Sequence, residues 1–190
     1  LGKRNIEGFR FLLDHGADAN AVTCCDEKAE GEVHKLSAMD LAARVERPDY
    51  LQALLEHGGN PNLIVNEAGE TPIFSTLLNS RIENAKLLIK AGADLNRQQQ
   101  RSHMTPIALA AGETEYAMAL LLFQSGADPT IKNRWGYGVV DSLMKYGNRG
   151  VLVLNIPKDV AAYDQFVAEL RQRGFLTAEP PHSCFERCTH

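Results

Sequence analysis

The chain has 190 residues, 44% apolar and 23% charged, a composition that excludes wholesale disorder. A net charge of −4 with no local run of Lys and Arg argues against nucleic acid as a partner. No stretch approaches the roughly 18 uninterrupted apolar residues that cross a bilayer, so no transmembrane segment is expected.

The chain opens at Leu1 inside a helical pattern, half-way through a unit, which leads us to expect a processed fragment whose front end carried any leader. That pattern ends in "LLDHGADAN" at residues 12–20. The same shape returns as "LLEHGGNPN" at 54–62, "LIKAGADLN" at 88–96 and "LFQSGADPT" at 122–130. The aligned glycines, Gly16, Gly58, Gly92 and Gly126, are separated by 42, 34 and 34 residues. A fixed period in the thirties marks a repeat architecture, in which each unit is too small to bury its own apolar face and must stack on its neighbours. Each glycine ends a helix, because the left-handed C′ position suits glycine. Leu12/Leu13, Leu54/Leu55, Leu88/Ile89 and Leu122/Phe123 supply the apolar seam, each side chain contributing roughly 1.5–3 kcal/mol when buried.

The second unit, 23–64, carries some eight extra residues around "CCDEKAEGEVH" at 24–34, whose charged, glycine-containing composition predicts an extended surface loop. "LSAMDLAA" follows at 36–43. In the third unit, 65–98, a polar turn at 66–69 precedes Thr71 and Pro72. Threonine at the N-cap accepts a bond from an orphan amide, and proline at the first helical position has no amide to waste. A second helix follows, with Ile82, Ala85, Leu88 and Ile89 along one face. The fourth unit, 99–132, repeats the start at Thr105 and Pro106. In the fifth, 133–178, "NRWGYGVVDSLMKYG" at 133–147 reads as an inner helix and "YDQFVAELRQRGF" at 163–175 as an outer one. The glycine step from Gly126 to Gly174 is 48, so about fourteen residues are inserted, including the strand-like "VLVLNIP" at 151–157. The tail, 179–190, holds two prolines and is expected to be flexible.

"GETPIFSTL" at 69–77, "MTPIALAA" at 104–111 and, more loosely, "LSAMDLAA" resemble the start of the ankyrin repeat, G-x-T-P-L-H-x-A-A, and the glycine-containing stretches resemble its ending, L-L-x-x-G-A-D-x-N. The resemblance covers about residues 5–176. It implies an all-α solenoid of stacked helix-turn-helix units, a single array over 1–178 comprising a partial repeat at 1–22, repeats at 23–64, 65–98 and 99–132, and a capping repeat at 133–178. The family's histidine after Thr-Pro-Leu is replaced by Asp40, Phe74, Ala108 and Asp141.

No phosphate loop, dinucleotide fingerprint, nucleophile elbow or H-E-x-x-H helix is present, so no catalytic residue, no cofactor and no enzymatic activity are expected. His15 and His57 recur just before the helix-ending glycine, where an imidazole sits near the negative end of a helix dipole. Asp18, Asp94 and Asp128 recur in the same way and are expected to bond turn amides. The tail gathers His182, Cys184, Cys188 and His190, a donor set that suits tetrahedral zinc in number. Its Cys-x3-Cys spacing is loose and no second ligand cluster exists, so no metal is assigned. An incidental thiol pair or a local disulfide is the simpler reading. Adjacent Cys24 and Cys25 would be strained if joined to each other, and compartment is left open.

The family resemblance implies binding through the turn tips and the exposed side of the inner helices. Those positions are Arg44 and Val45 in the second unit, Glu67, Glu70 and Asn79 in the third, Arg101, Met104 and Glu113 in the fourth, and Arg134, Trp135, Tyr137, Lys145 and Tyr146 in the fifth. Trp135 and Tyr137 have a second reading as a cap packed on the "VLVLNIP" insertion. The function expected is a protein–protein interaction module holding one protein partner by occlusion or scaffolding. Compact bacterial ankyrin proteins, some similar to immunity proteins that inhibit secreted toxic effectors such as lipases, give a sharper version. It would place the chain in the bacterial periplasm behind a removed leader, or in the cytoplasm. The alternatives are the recognition part of a larger protein, or a metal-dependent protein using the tail Cys and His.

Overall fold

In the computed structural model, the residues described are 2–23, 35–64, 66–77, 80–147 and 157–177. The expected loop at 24–34, Asn79, residues 151–156 of the insertion and the tail lie outside them, as do the side chains of Lys145 and Tyr146. The chain divides into two compact units, Leu1–Gln100 and Arg101–His190.

The fold is all-α. In the first unit, α1 (Gly2–Asp14), α3 (Pro48–Glu56) and α5 (Ile82–Lys90) form an outer row, and α2 (Ala38–Arg44) and α4 (Pro72–Leu77) an inner one. The second unit has inner helices α6 (Pro106–Gly112) and α8 (Val139–Gly147), and outer helices α7 (Tyr116–Gln124) and α9 (Pro157–Gln172). A two-residue antiparallel ribbon, β1 (Val22–Thr23) with β2 (Leu36–Ser37), flanks the 24–34 segment. It was not expected from the sequence, because neither pair of residues alternates for long enough to be read as a strand.

The repeating stretches fold as their composition dictates. Gly16, Gly58, Gly92, Gly126 and Gly174 all take positive φ, between 79° and 99°. At each, the glycine N–H reaches the carbonyl three residues back and the next N–H the carbonyl five back, as in Gly92 to Ile89 at 3.0 Å and Ala93 to Leu88 at 3.0 Å. That pair of bonds is the Schellman closure, which satisfies carbonyls the helix end would otherwise leave bare. Where the first, third and fourth repeats put alanine after this glycine, the second has Gly59. A Cβ there would lie 2.6 Å from the Met39 sulfur and 2.8 Å from the Leu54 carbonyl oxygen.

Asp18, Asp94 and Asp128 behave as expected, each accepting the N–H two residues on, at 2.8, 2.9 and 2.8 Å. The Thr130 hydroxyl also donates to Asp128, and these two bonds hold its carboxyl below the ordinary range.

The two Thr-Pro starts diverge. The Thr105 hydroxyl accepts from the Ala108 N–H at 3.4 Å, as an N-cap should. The Thr71 hydroxyl is buried and has no hydrogen-bond partner among the described residues, and the Phe74 N–H bonds the Thr71 carbonyl instead at 2.9 Å. In the second repeat Ser37 and Asp40 form a full capping box, with bonds of 3.0 and 3.1 Å. Asp141 does half of the same job, accepting the Gly138 N–H at 2.7 Å. Two of the residues standing where the family has histidine therefore cap the helix they sit on.

The fifth unit also departs from expectation at its edges. Residues 133–138 are a closed turn rather than helix, with the Asn133 N–H bonded to the Tyr137 carbonyl at 2.9 Å and Gly136 at φ 78°. The outer helix starts at Pro157, six residues before Tyr163, with proline in its first turn.

The core follows the seam. Leu13, Leu54, Leu88, Leu122 and Phe123 are buried, joined by Met39, Leu51 and Ile73 in the first unit and by Ile107, Met118, Leu143, Phe166 and Leu170 in the second. α7 is apolar on almost every side because it lies between α6 and α9. Phe123 packs edge-on against Phe166 and Phe175, at 5.9 and 5.8 Å between ring centres, with the Arg173 guanidinium 4.4 Å over its ring. Leu12 is the exception, 58% exposed beside the equally exposed Phe11, since among the described residues no inner helix precedes α1.

Candidate functional site

In the first unit the C-terminal end of α2 is built from polar groups of its neighbours. The buried Asn84 donates to the carbonyls of Ala42, Ala43 and Val45 at 3.2, 3.0 and 2.7 Å, and Arg81 donates to the Arg44 carbonyl at 3.0 Å. These bonds close the carbonyls that end a seven-residue helix. The half-buried Arg44 donates to the Ser75 hydroxyl at 3.5 Å, and Ser75 donates to Asp40 at 3.3 Å. Arg44 is thus committed to an internal network. Val45 stands 43% exposed, and Leu41, one turn back on α2, is 42% exposed. Sequence reasoning named Val45, the residue that caps α2, and missed Leu41.

The tip at 66–70 is a turn closed by the Gly69 N–H on the Asn66 carbonyl at 3.1 Å. Its Glu67 is exposed. Glu70 is half-buried and spent on structure, accepting from Asn66 at 3.2 Å and from Gln99 at 2.5 Å. The tip is joined to the next turn by the Gln100 N–H on the Ala68 carbonyl at 2.7 Å.

The second unit repeats that backbone link, the Arg134 N–H donating to the Ser102 carbonyl at 3.1 Å. Arg101 and Glu113 are exposed, whereas Met104 is half-buried. At the tip of the fifth repeat the Asn133 side chain accepts the N–H groups of Trp135 and Tyr137, both at 3.0 Å, fixing the turn from inside. Trp135 and Tyr137 stand 61% and 53% exposed. The Arg134 guanidinium lies 5.5 Å from the Trp135 ring centre and donates to the Arg101 carbonyl at 3.1 Å.

His15 and His57 each sit just past the end of an outer helix. His15 Nδ1 lies 2.7 Å from the Phe11 carbonyl and His57 Nδ1 2.7 Å from that of Ala53, both at helix ends. His57 Nε2 also meets Asp14 at 2.9 Å. That carboxylate, and next the Ala53 carbonyl, raise the His57 pKa above its ordinary 6.5. Nearby, Gln52 and Arg10 bond Glu56 and lower its pKa. Among the described residues no three His, Cys, Asp or Glu side chains converge as a metal site requires, and no helix is long and apolar enough to cross a membrane.

A family model for ankyrin repeats in three copies matches residues 39–133. The chain is similar to cyclin-dependent kinase inhibitor 2A of Monodelphis domestica, 30% identical over 148 residues that cover 78% of this chain and 84% of that protein. It is 32% identical over 127 residues to the Homo sapiens protein of the same name, covering 66% of this chain and 80% of that one. A shorter stretch of 69 residues is 33% identical to the potassium channel GORK of Arabidopsis thaliana, 36% of this chain but only 8% of the channel's length. With its glycine-closed helix pairs, its Asx-bonded turns and these matches, the chain belongs to the ankyrin-repeat family and is a protein–protein interaction module.

Proposed function

We propose that the chain holds one protein partner through its turn tips and the exposed sides of its inner helices, and that it inhibits that partner by covering its working surface. The observation that carries this reading is the tip of the fifth repeat, where Trp135 and Tyr137 are exposed on a turn held rigid by Asn133. Large aromatic side chains and arginine dominate binding hot spots, and a rigid turn offers them at little cost in ordering. The kinase inhibitors among the relatives bear names consistent with inhibition through a partner. So does the resemblance to bacterial immunity proteins, which would make the partner a secreted effector such as a lipase and the compartment the periplasm or cytoplasm. The unbroken spacing of Gly58, Gly92 and Gly126 supports reading 1–178 as a single array.

A double substitution tests the surface. Arg134→Glu with Trp135→Ala should weaken partner capture at least tenfold while the circular-dichroism melt stays nearly unchanged. A large fall in melting temperature would assign Trp135 to capping instead. The match to a short part of a channel favours a second reading, the recognition part of a larger protein. Partner capture by this chain alone, with no inhibition of the captured protein, would support it. Deleting 179–190 should leave capture intact, which separates both readings from a metal-dependent role of the tail.

A further inference from the structure

We infer that the tip of the fifth repeat recognises an acidic segment of its partner, with Arg134 as the carboxylate-binding group. This rests on the reading of the chain as an interaction module and names what one part of its surface selects. Charge points first. Residues 131–140 contain Lys132 and Arg134 and no Asp or Glu, and the two flanking carboxylates are spent on their own turns, Asp128 accepting the Thr130 N–H and Asp141 the Gly138 N–H, so the charge the tip itself presents is positive. Geometry points next. The backbone of Arg134 is tied to Ser102 and its guanidinium to the Arg101 carbonyl, with the Trp135 ring 5.5 Å away.

A guanidinium has five N–H donors in a fixed fork, of which the Arg101 carbonyl takes one. Holding the fork in place beforehand removes much of the rotamer entropy a free arginine would lose on binding, and its planar shape matches a carboxylate bidentately. Trp135 and Tyr137, exposed on the same turn, supply apolar contact beside the charge. An aromatic flank excludes water from an ion pair that would be weak in full solvent. The fitting occupant is therefore a peptide segment rich in Asp or Glu, and the same tip disfavours a basic one.

Trp135 is the only tryptophan of the chain, so its emission reports on this tip alone. Titration of the full chain with a hexaglutamate peptide should change that emission saturably, and the response should weaken with added salt. A hexalysine peptide should give no saturable change. Arg134→Gln should weaken hexaglutamate binding at least fivefold with an unchanged circular-dichroism spectrum, and Arg134→Lys should fall between, keeping the charge without the fork. An equal response to hexalysine, no saturable response to hexaglutamate, or full retention in Arg134→Gln would overturn the inference. If the wild type captures a protein partner and Arg134→Gln captures it equally well, the acidic selection fails while the module reading stands. If hexaglutamate binding depends on Arg134 but no protein partner is captured, the module reading fails and the selection by charge stands.

Discussion

Asn62 and Gly92 are thirty residues apart and joined by a hydrogen bond of 3.0 Å, from the Asn62 side-chain amide to the Gly92 carbonyl. The same amide oxygen accepts the Asp94 N–H at 2.7 Å, so one side chain grips both a donor and an acceptor of the next turn. Asn20 makes the identical grip one repeat earlier, on the Gly58 carbonyl at 3.2 Å and the Asn60 N–H at 2.7 Å. The asparagine that closes the repeat motif thus bonds the neighbouring repeat as well as its own turn. Replacing Asn62 by alanine removes both bonds and should cost roughly 1–2 kcal/mol, read as a lower urea midpoint at unchanged slope. An unchanged midpoint would mean that the stacked helices hold the turns in place without it.

The turn between α6 and α7 stores strain. Thr114 has φ 65°, a left-handed conformation that is costly for a β-branched residue. Ser80 holds the matching place between α4 and α5 at φ 51°. Thr114→Gly should relieve about 1–2 kcal/mol of strain, partly offset by the greater freedom of glycine in the unfolded chain, for a net gain of about 0.5–1 kcal/mol. Thermal denaturation of Thr114→Gly beside Thr114→Val checks it, since valine must give no gain.

His57 makes stability depend on pH in a known direction. Its folded pKa is raised above 6.5, chiefly by Asp14, so protonated His57 is favoured in the folded chain. Its contribution is fully present below about pH 6.5 and is lost as pH rises through the folded value. Compared with His57→Gln, the native chain should hold its advantage at pH 5.5 and lose it by pH 8.5. NMR titration should place the His57 pKa above 6.5, and Asp14→Asn should bring it down. A His57 pKa indifferent to Asp14→Asn would remove the pair as the cause.

Much of this architecture is legible because it is local and repeated. A glycine at the same place in each repeat fixes a helix end, and the Asp or Asn two residues after it in the first four fixes a turn, using groups within six residues of one another. What escapes the sequence is non-local. Asn84 looks like a weak residue near the start of a helix, yet it caps α2, some forty residues earlier, and only the stacking reveals which carbonyls there need a donor. Thr71 and Thr105 are indistinguishable as sequence, but only Thr105 bonds its helix through the hydroxyl. The candidate surface divides on the same line. Exposure of Arg134, Trp135 and Tyr137 follows from their register in the repeat, even though 133–138 fold as a turn and not as the helix read from the sequence, whereas the commitment of Arg44 and Glu70 to internal bonds depends on Ser75 and Gln99, thirty-one and twenty-nine residues away.

Leu12 and Leu88 occupy the same position of the repeat and should respond oppositely to truncation. Leu88 is fully buried between α5 and its neighbours, while Leu12 is 58% exposed on α1. Leu88→Ala removes buried methyl groups and leaves a cavity that packed helices fill only in part, a loss of about 2–5 kcal/mol. Leu12→Ala uncovers little that water does not already reach and should stay within about 0.5 kcal/mol of the native chain. Urea denaturation of the two variants separates burial from repeat identity. If both lost several kcal/mol, the motif position itself would govern stability; a large loss for Leu88→Ala alone shows that the stacked neighbour does.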